Sequence, residues 1–209
     1  MIYHPSDLSS NIGFIDLEGL KITFINMPLR ESALPNTPPE GPAILSAIVR
    51  NYGAIPSIID LNAYRIKDNI AKNKSLKNGR HITTKEFKSL FERHIQNVGD
   101  QDIIGLSGKI TTLKWQEDVS TIVRELQPES FIVSGNGLAT EIKAGLFQWI
   151  PELDGIARSE GDDIILLICK DAMVIKELGM KKAINTGKLS PYYAGEINGG
   201  HRFIYEGDR

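Results

Sequence analysis

The chain has 209 residues, 24% of them charged and 41% hydrophobic, which suits one globular domain with a sizeable core plus extensions. A formal net charge of −2 gives no electrostatic draw toward nucleic acid or an acidic membrane surface, and no apolar run approaches the roughly 20 residues of a membrane span. Cys169 is the only cysteine, which excludes an internal disulfide, a multi-cysteine zinc site and a cysteine-ligated cluster built within this chain; a reducing cytoplasm is the expected setting.

Residues 1–20 carry no strong period and read as a lead-in, with a short strand near Phe14-Ile15 and no signal-peptide core. Lys21 to Met27 is a short apolar run rich in β-favouring residues, a buried strand that ends at Pro28. After a loop to Asn36, Thr37, Pro38 and Glu40 form a capping box that opens a helix. Its apolar stripe is Ile44, Leu45, Ile48, Val49 and Tyr52, and Gly53 ends it. Ile55 to Leu61 is a second strand, and Pro56 indicates an edge position or a strand start.

Asn62 to His81 is polar and reads as a solvated insertion with a weak helix around Ile66 to Lys74. A second capping box, Thr83 to Glu86, opens a helix with Phe87, Leu90, Phe91, Ile95 and Val98 inward. Asp102 to Ser107 is the third strand, followed by a long helix to Leu126. Phe131 to Ser134 is the fourth, turning at Gly135-Asn136-Gly137 into a helix through Ile142, Leu146, Trp149 and Ile150. Asp154 to Arg158 is the fifth, and Ser159 to Asp162 leads into a helix over Asp163 to Lys170. Five strands, each followed by a helix-bearing connection, predict an α/β fold with a doubly wound five-stranded parallel sheet and helices on both faces. The tail beyond Met173 reads as a linker-like extension.

In such a sheet the ligand-binding groups come from loops at the carboxyl ends of the strands. Here those are Pro28 to Asn36, Ser107 to Thr112, Ser134 to Gly137 and Arg158 to Gly161. They hold glycines, hydroxyls and few titratable groups, which permits a close backbone approach to a large ligand and hydrogen bonds to its polar rim. Sharper motifs fail. The loop after the first strand has no glycine before Gly41, so the dinucleotide fingerprint is absent there; Gly135-Asn136-Gly137-Leu138-Ala139-Thr140 imitates it only after the fourth strand, where ordinary turn chemistry accounts for it. There is no phosphate-binding G-x-x-x-x-G-K-[ST] loop and no hydrolase G-x-S-x-G. His4, His81, His94 and His201 are scattered and none stands in a strand-end loop; Cys169 sits in a helical pattern as a small apolar residue. The residues by themselves point to a binding domain with no catalytic set and no metal ligands, leaving open a flavodoxin-like interaction module without cofactor or a nucleotide- or flavin-binding domain.

The series Asn26-Met27-Pro28, Pro38-Pro39-Glu40-Gly41-Pro42-Ala43-Ile44-Leu45, Tyr52-Gly53 and Ile58-Ile59-Asp60-Leu61 resembles the N-terminal cobalamin (B12)-binding domain of B12-dependent radical SAM proteins. Asp102-Ile103-Ile104-Gly105-Leu106-Ser107, Val133-Ser134-Gly135-Asn136-Gly137 and Asp154-Gly155-Ile156-Ala157-Arg158-Ser159-Glu160-Gly161-Asp162 extend the resemblance, the last being similar to that family's aspartate, short strand and Gly-Glu-Gly-Glu signature. Phe203 to Arg209 is similar to the segment just before the family's cluster-binding cysteines.

The resemblance implies a flavodoxin-like cobalamin-binding domain over residues 21–172 and an extension over 173–209 toward a radical SAM domain, in cis or in trans, that would carry the 4Fe-4S cluster and S-adenosylmethionine in a methyltransferase-type enzyme. The cysteine ligands of that cluster are absent from this chain. The implied cofactor-binding residues are Pro28, Leu29, Arg30, Ser107, Gly108, Lys109, Thr111, Ser134, Gly135, Asn136, Gly137, Arg158, Ser159, Glu160 and Gly161. The D-x-H-x-x-G of methionine-synthase-type domains is missing, since no histidine follows Met27 until His81, so the implied cobalamin is bound without a histidine beneath cobalt.

Overall fold

Strand β1 (Lys21–Asn26) is the pivot of the sheet: it pairs in parallel with β2 (Ile55–Asp60) on one side and with β5 (Ile103–Ser107) on the other. The computed structural model describes residues 16–28, 39–61, 65–66, 81–82 and 84–207. From β5 the sheet continues through β6 (Phe131–Gly135), β7 (Gly155–Arg158) and β9 (Gly200–Glu206) to β8 (Tyr193–Ile197), in the order β2-β1-β5-β6-β7-β9-β8. Every pair is parallel except β8 with β9. A separate two-residue pair joins β3 (Arg65–Ile66) to β4 (His81–Ile82). The fold is α/β, a mostly parallel sheet flanked by helices, and its connectivity is compatible with a flavodoxin-like arrangement because the chain reverses direction of winding between β1 and β5.

The expected sheet has five strands; the observed one has seven. Both additional strands come from the stretch that reads as an extension. Phe203 and Tyr205 alternate into the interior of β9, fully buried, with Phe203 edge-on to Phe131 at 5.3 Å. Glycines and polar residues around them dilute the signal, so this strand is hard to recognise from composition.

Because the sheet is covered on both faces, successive side chains of each strand feed two different cores. Ile25, Ile104, Leu106, Ile132 and Ile156 pack against α2 (Thr84–Val98), α3 (Leu113–Leu126) and the broken pair α4 (Gly137–Ile142) and α5 (Leu146–Trp149). Ile22, Phe24, Ile103, Phe131, Val133, Ala157, Phe203 and Tyr205 pack against α1 (Glu40–Asn51) and α6 (Ile165–Leu178). The short helix α7 (Met180–Asn185) follows α6.

Several helix boundaries differ from expectation. Helix α1 begins at Glu40 with Pro39 as its N-cap residue, while Thr37 and Pro38 lie outside the described residues. It turns Pro42, Ser46 and Val49 inward, leaving Ile44 48% and Tyr52 41% exposed, although both belong to the expected stripe. The helix expected through Trp149 breaks after Ile142, where Lys143 takes φ 58, and Trp149 is 62% exposed. Helix α6 runs on to Leu178, past Lys170, until Gly179 takes φ 75 and ends it. Of the expected weak helix, Ile66 is in β3 and residues 67–74 lie outside the described ones, as do Phe14, Ile15 and Thr83.

One buried carboxylate ties α6 to the final hairpin. Asp171 accepts from the Ser190 N–H (2.8 Å) and hydroxyl (2.6 Å) and from the Tyr205 hydroxyl (3.0 Å). Burial pushes its carboxyl above the usual carboxylate range, and those hydrogen bonds only partly pull it back. With the folded value raised above the unfolded one, the native state holds the proton more tightly, so stability from this group is fullest below about pH 4 and declines as pH rises through the folded value. Asp171→Asn is therefore expected to flatten the decline in urea-unfolding free energy above about pH 4, and Tyr205→Phe to cost about 1–2 kcal/mol at neutral pH.

Candidate functional site

The carboxyl ends of β5, β6 and β7 are short of side-chain volume on the face covered by α1 and α6. Register places Ser107 beside Gly135 and, one level inward, Phe24 beside Gly105 and Gly105 beside Val133. A Cβ built on Gly135 would come no closer than 3.8 Å to Ala157, and one on Gly137 would meet nothing within 4 Å. The shortage leaves a cavity of about 510 Å³ between the sheet and the first turns of the two helices. It lies within the usual range of small-molecule sites, roughly 300–1,000 Å³. Gly41, Pro42, Ile44 and Leu45 of α1 form one wall, and Gly161, Asp162, Ile165 and Ile168, leading into and along α6, form the other. Along β5 the lining runs from Ser107 inward to Ile103, four residues or roughly 13 Å of strand.

The cavity is polar at its mouth and apolar within. Asn136 takes φ 69 and caps α4, its Oδ1 accepting from the Gly137 N–H at 2.6 Å while its Nδ2 reaches Ser107 Oγ at 3.3 Å. Ser159 takes φ 59, and its N–H donates to Thr140 Oγ1 at 3.2 Å. Left-handed backbone at non-glycine residues is strained and concentrates at ligand sites; two such residues meet at this mouth. The charged residues lining the cavity are Glu141, Glu160 and Asp162, and no lysine, arginine or histidine among the described residues joins them.

Of the residues expected to hold a cofactor, Ser107, Gly135, Asn136, Gly137, Ser159, Glu160 and Gly161 line the cavity together. Leu29 and Arg30 lie outside the described residues. Pro28, Gly108, Lys109, Thr111, Ser134 and Arg158 are not part of the lining. Ser134 is adjacent to Gly135 but faces the opposite core, where its hydroxyl donates to Gln116 Oε1 at 2.7 Å. Gly108 packs on that same side, against Thr112, Gln116 and Met27, so neither opens onto the cavity. Lys109 and Thr111 stand exposed on the turn after β5. Arg158 is engaged by Glu206 at 2.6 Å, with its Nε buried and without a hydrogen-bond partner.

Residues that the loops alone did not suggest are the helix walls and the floor: Phe24, Ile103, Val133, Ile165 and Ile168, together with Thr140 and Glu141. For the apolar ones the only advance signal is the apolarity of the strands and of α6, which is indistinguishable in sequence from core packing, and Thr140 and Glu141 gave none.

Cys169 is buried, and burial pushes its thiol up to about 12, removing it as a nucleophile. His201 is held by the Tyr193 hydroxyl at 2.8 Å and lies on the final hairpin. Among the described residues no three His, Cys, Asp or Glu side chains are grouped to hold a metal, and no helix is long and apolar enough to cross a membrane. The sequence matches no protein-family model and no curated protein.

The close packing of Gly108 makes a direct test of the crown's rigidity. Gly108→Ala would drive a methyl group into Thr112 and Gln116 and is expected to destabilise the fold by about 1–3 kcal/mol in urea denaturation.

Proposed function

We propose that this chain binds cobalamin, as the flavodoxin-like cofactor module of a B12-dependent radical SAM methyltransferase whose radical SAM domain acts in cis or in trans. One observation carries the reading: among the described residues the crown of the parallel sheet carries little side-chain volume and opens into a slot between α1 and α6 that their side chains leave unfilled. A macrocycle with a dangling nucleotide needs both features, a broad ledge and a deep narrow recess. The glycines support the fit, since a side chain at Gly135 or Gly137 would grow into free space rather than into the core.

Ser107, Gly135, Asn136 and Gly137 would border the nucleotide tail, and Ser159, Glu160 and Gly161 would face the corrin's side-chain amides. Among the described residues no histidine lines the cavity, and none occurs in the sequence between Met27 and His81, so cobalt would receive no histidine from beneath. When bound, the cofactor would supply a transferable methyl group; this chain would supply placement and exclusion of water. The 4Fe-4S cluster and S-adenosylmethionine would belong to the partner domain.

Two other readings fare less well on the same geometry. A flavin nucleotide or other nucleotide phosphate carries more negative charge than cobalamin's single phosphodiester and calls for cations, whereas the charged side chains lining the mouth among the described residues are three carboxylates. An interaction module without ligand has no use for an open recess of this depth. Fold likeness alone does not choose among them.

Purified protein mixed with hydroxocobalamin and then desalted is expected to retain corrin absorbance in near-stoichiometric amount. Gly135→Leu, which fills the recess from the sheet side, is expected to lower retention at least ten-fold while the far-ultraviolet circular dichroism stays unchanged. Elution of the unmodified protein free of corrin would sink the reading.

A further inference from the structure

Resting on the corrinoid reading above, we propose that the recess selects among corrinoids by their lower base, accepting an apolar benzimidazole and rejecting a purine. The recess is divided sharply along its length. All of its polar side chains, from Ser107, Asn136, Thr140, Glu141, Ser159, Glu160 and Asp162, belong to the strand ends and the turns and helix starts that follow them. The inner part is formed by Phe24, Ile103, Gly105, Val133, Ile165 and Ile168, and none of these carries a side-chain nitrogen or oxygen.

The backbone offers no substitute. At Gly105 the inner wall belongs to β5, which lies between β1 and β6 with Phe24 and Val133 as its ladder neighbours, so its N–H and C=O groups are committed within the sheet. A planar base entering this space exchanges water for hydrocarbon and glycine on all sides. A dimethylbenzimidazole presents methyl groups, ring C–H and a single acceptor nitrogen to those walls. An adenine presents an exocyclic amine and ring nitrogens, which would be stripped of water and left without partners. Discrimination against unpaired polar groups in a dry site is stronger than discrimination by shape alone.

Equilibrium dialysis of the purified chain against hydroxocobalamin, its adenine-bearing analogue and base-free cobinamide, each followed by corrin absorbance, tests this without any activity. Cobalamin is expected to bind at least ten-fold tighter than the adenine analogue, and tighter than cobinamide. Val133→Thr, which sets a hydroxyl on the inner wall, is expected to narrow the preference over the adenine analogue several-fold; Ala157→Ser probes the same wall should Val133→Thr prove too unstable to purify. Equal affinity for cobalamin and the adenine analogue, or an unchanged ratio in the hydroxyl variants, would overturn the selectivity and leave corrinoid binding standing. If none of the three corrinoids binds, the corrinoid reading fails and this proposal with it.

Discussion

A parallel sheet buried on both faces must be filled on both faces, and this one is filled unequally. On the side of α2 and α3, Ile25, Met27, Leu106, Ile132 and Ile156 meet Phe87, Phe91, Val119 and Val123 in a continuous core. On the side of α1 and α6 the same strands bring Gly105, Ser107, Gly135 and Ala157 to the crown, and the core closes only lower down, around Val49, Ile168 and Cys169. The first face is closely filled, and the cavity opens on the second.

The walls of that void are held from a distance. Helix α6 lines it with Ile165 and Ile168, and one turn further on Asp171 accepts three hydrogen bonds from Ser190 and Tyr205. Tyr205 stacks against Phe203, which packs edge-on to Phe131 of the central sheet. On the opposite face of β9, Arg202 is buried over the Phe147 ring and donates to the Leu153 and Pro151 carbonyls. The final hairpin is thus an integral part of the sheet, and the strand β9 leaves the fold beside Glu160, where the Gly207 N–H donates to the Arg158 carbonyl at 3.0 Å.

Charge narrows the ligand class as much as shape does. Among the described residues the mouth combines hydroxyls with charged side chains that are all carboxylates. That combination disfavours ligands carrying several phosphate charges and suits a largely neutral one rimmed by amides, whose N–H groups the carboxylates and hydroxyls can accept. The apolar interior then asks for a planar group without hydrogen-bonding edges.

Much of this was legible in the residue order. The apolar runs at Lys21–Asn26, Ile103–Ser107, Phe131–Gly135 and Gly155–Arg158 announce parallel strands because both faces are buried and the runs are continuous. Their small carboxyl-end residues announce where a ligand would lie. Hidden were the two last strands, because Phe203 and Tyr205 stand among glycines and turn residues, and the pairing partner that buries them, β7, is nearly fifty positions away in the chain. Hidden too was the division of neighbouring residues between faces: Ser134 serves Gln116 while Gly135 opens the recess, a distinction set by register alone. Sequence therefore determined the α/β class and the strand-end loops, since these follow from local composition and period. Only the tertiary structure decided that α1 and α6 stand apart at the crown and leave a hollow, because the gap between two packed helices depends on volumes contributed by residues far apart in the chain.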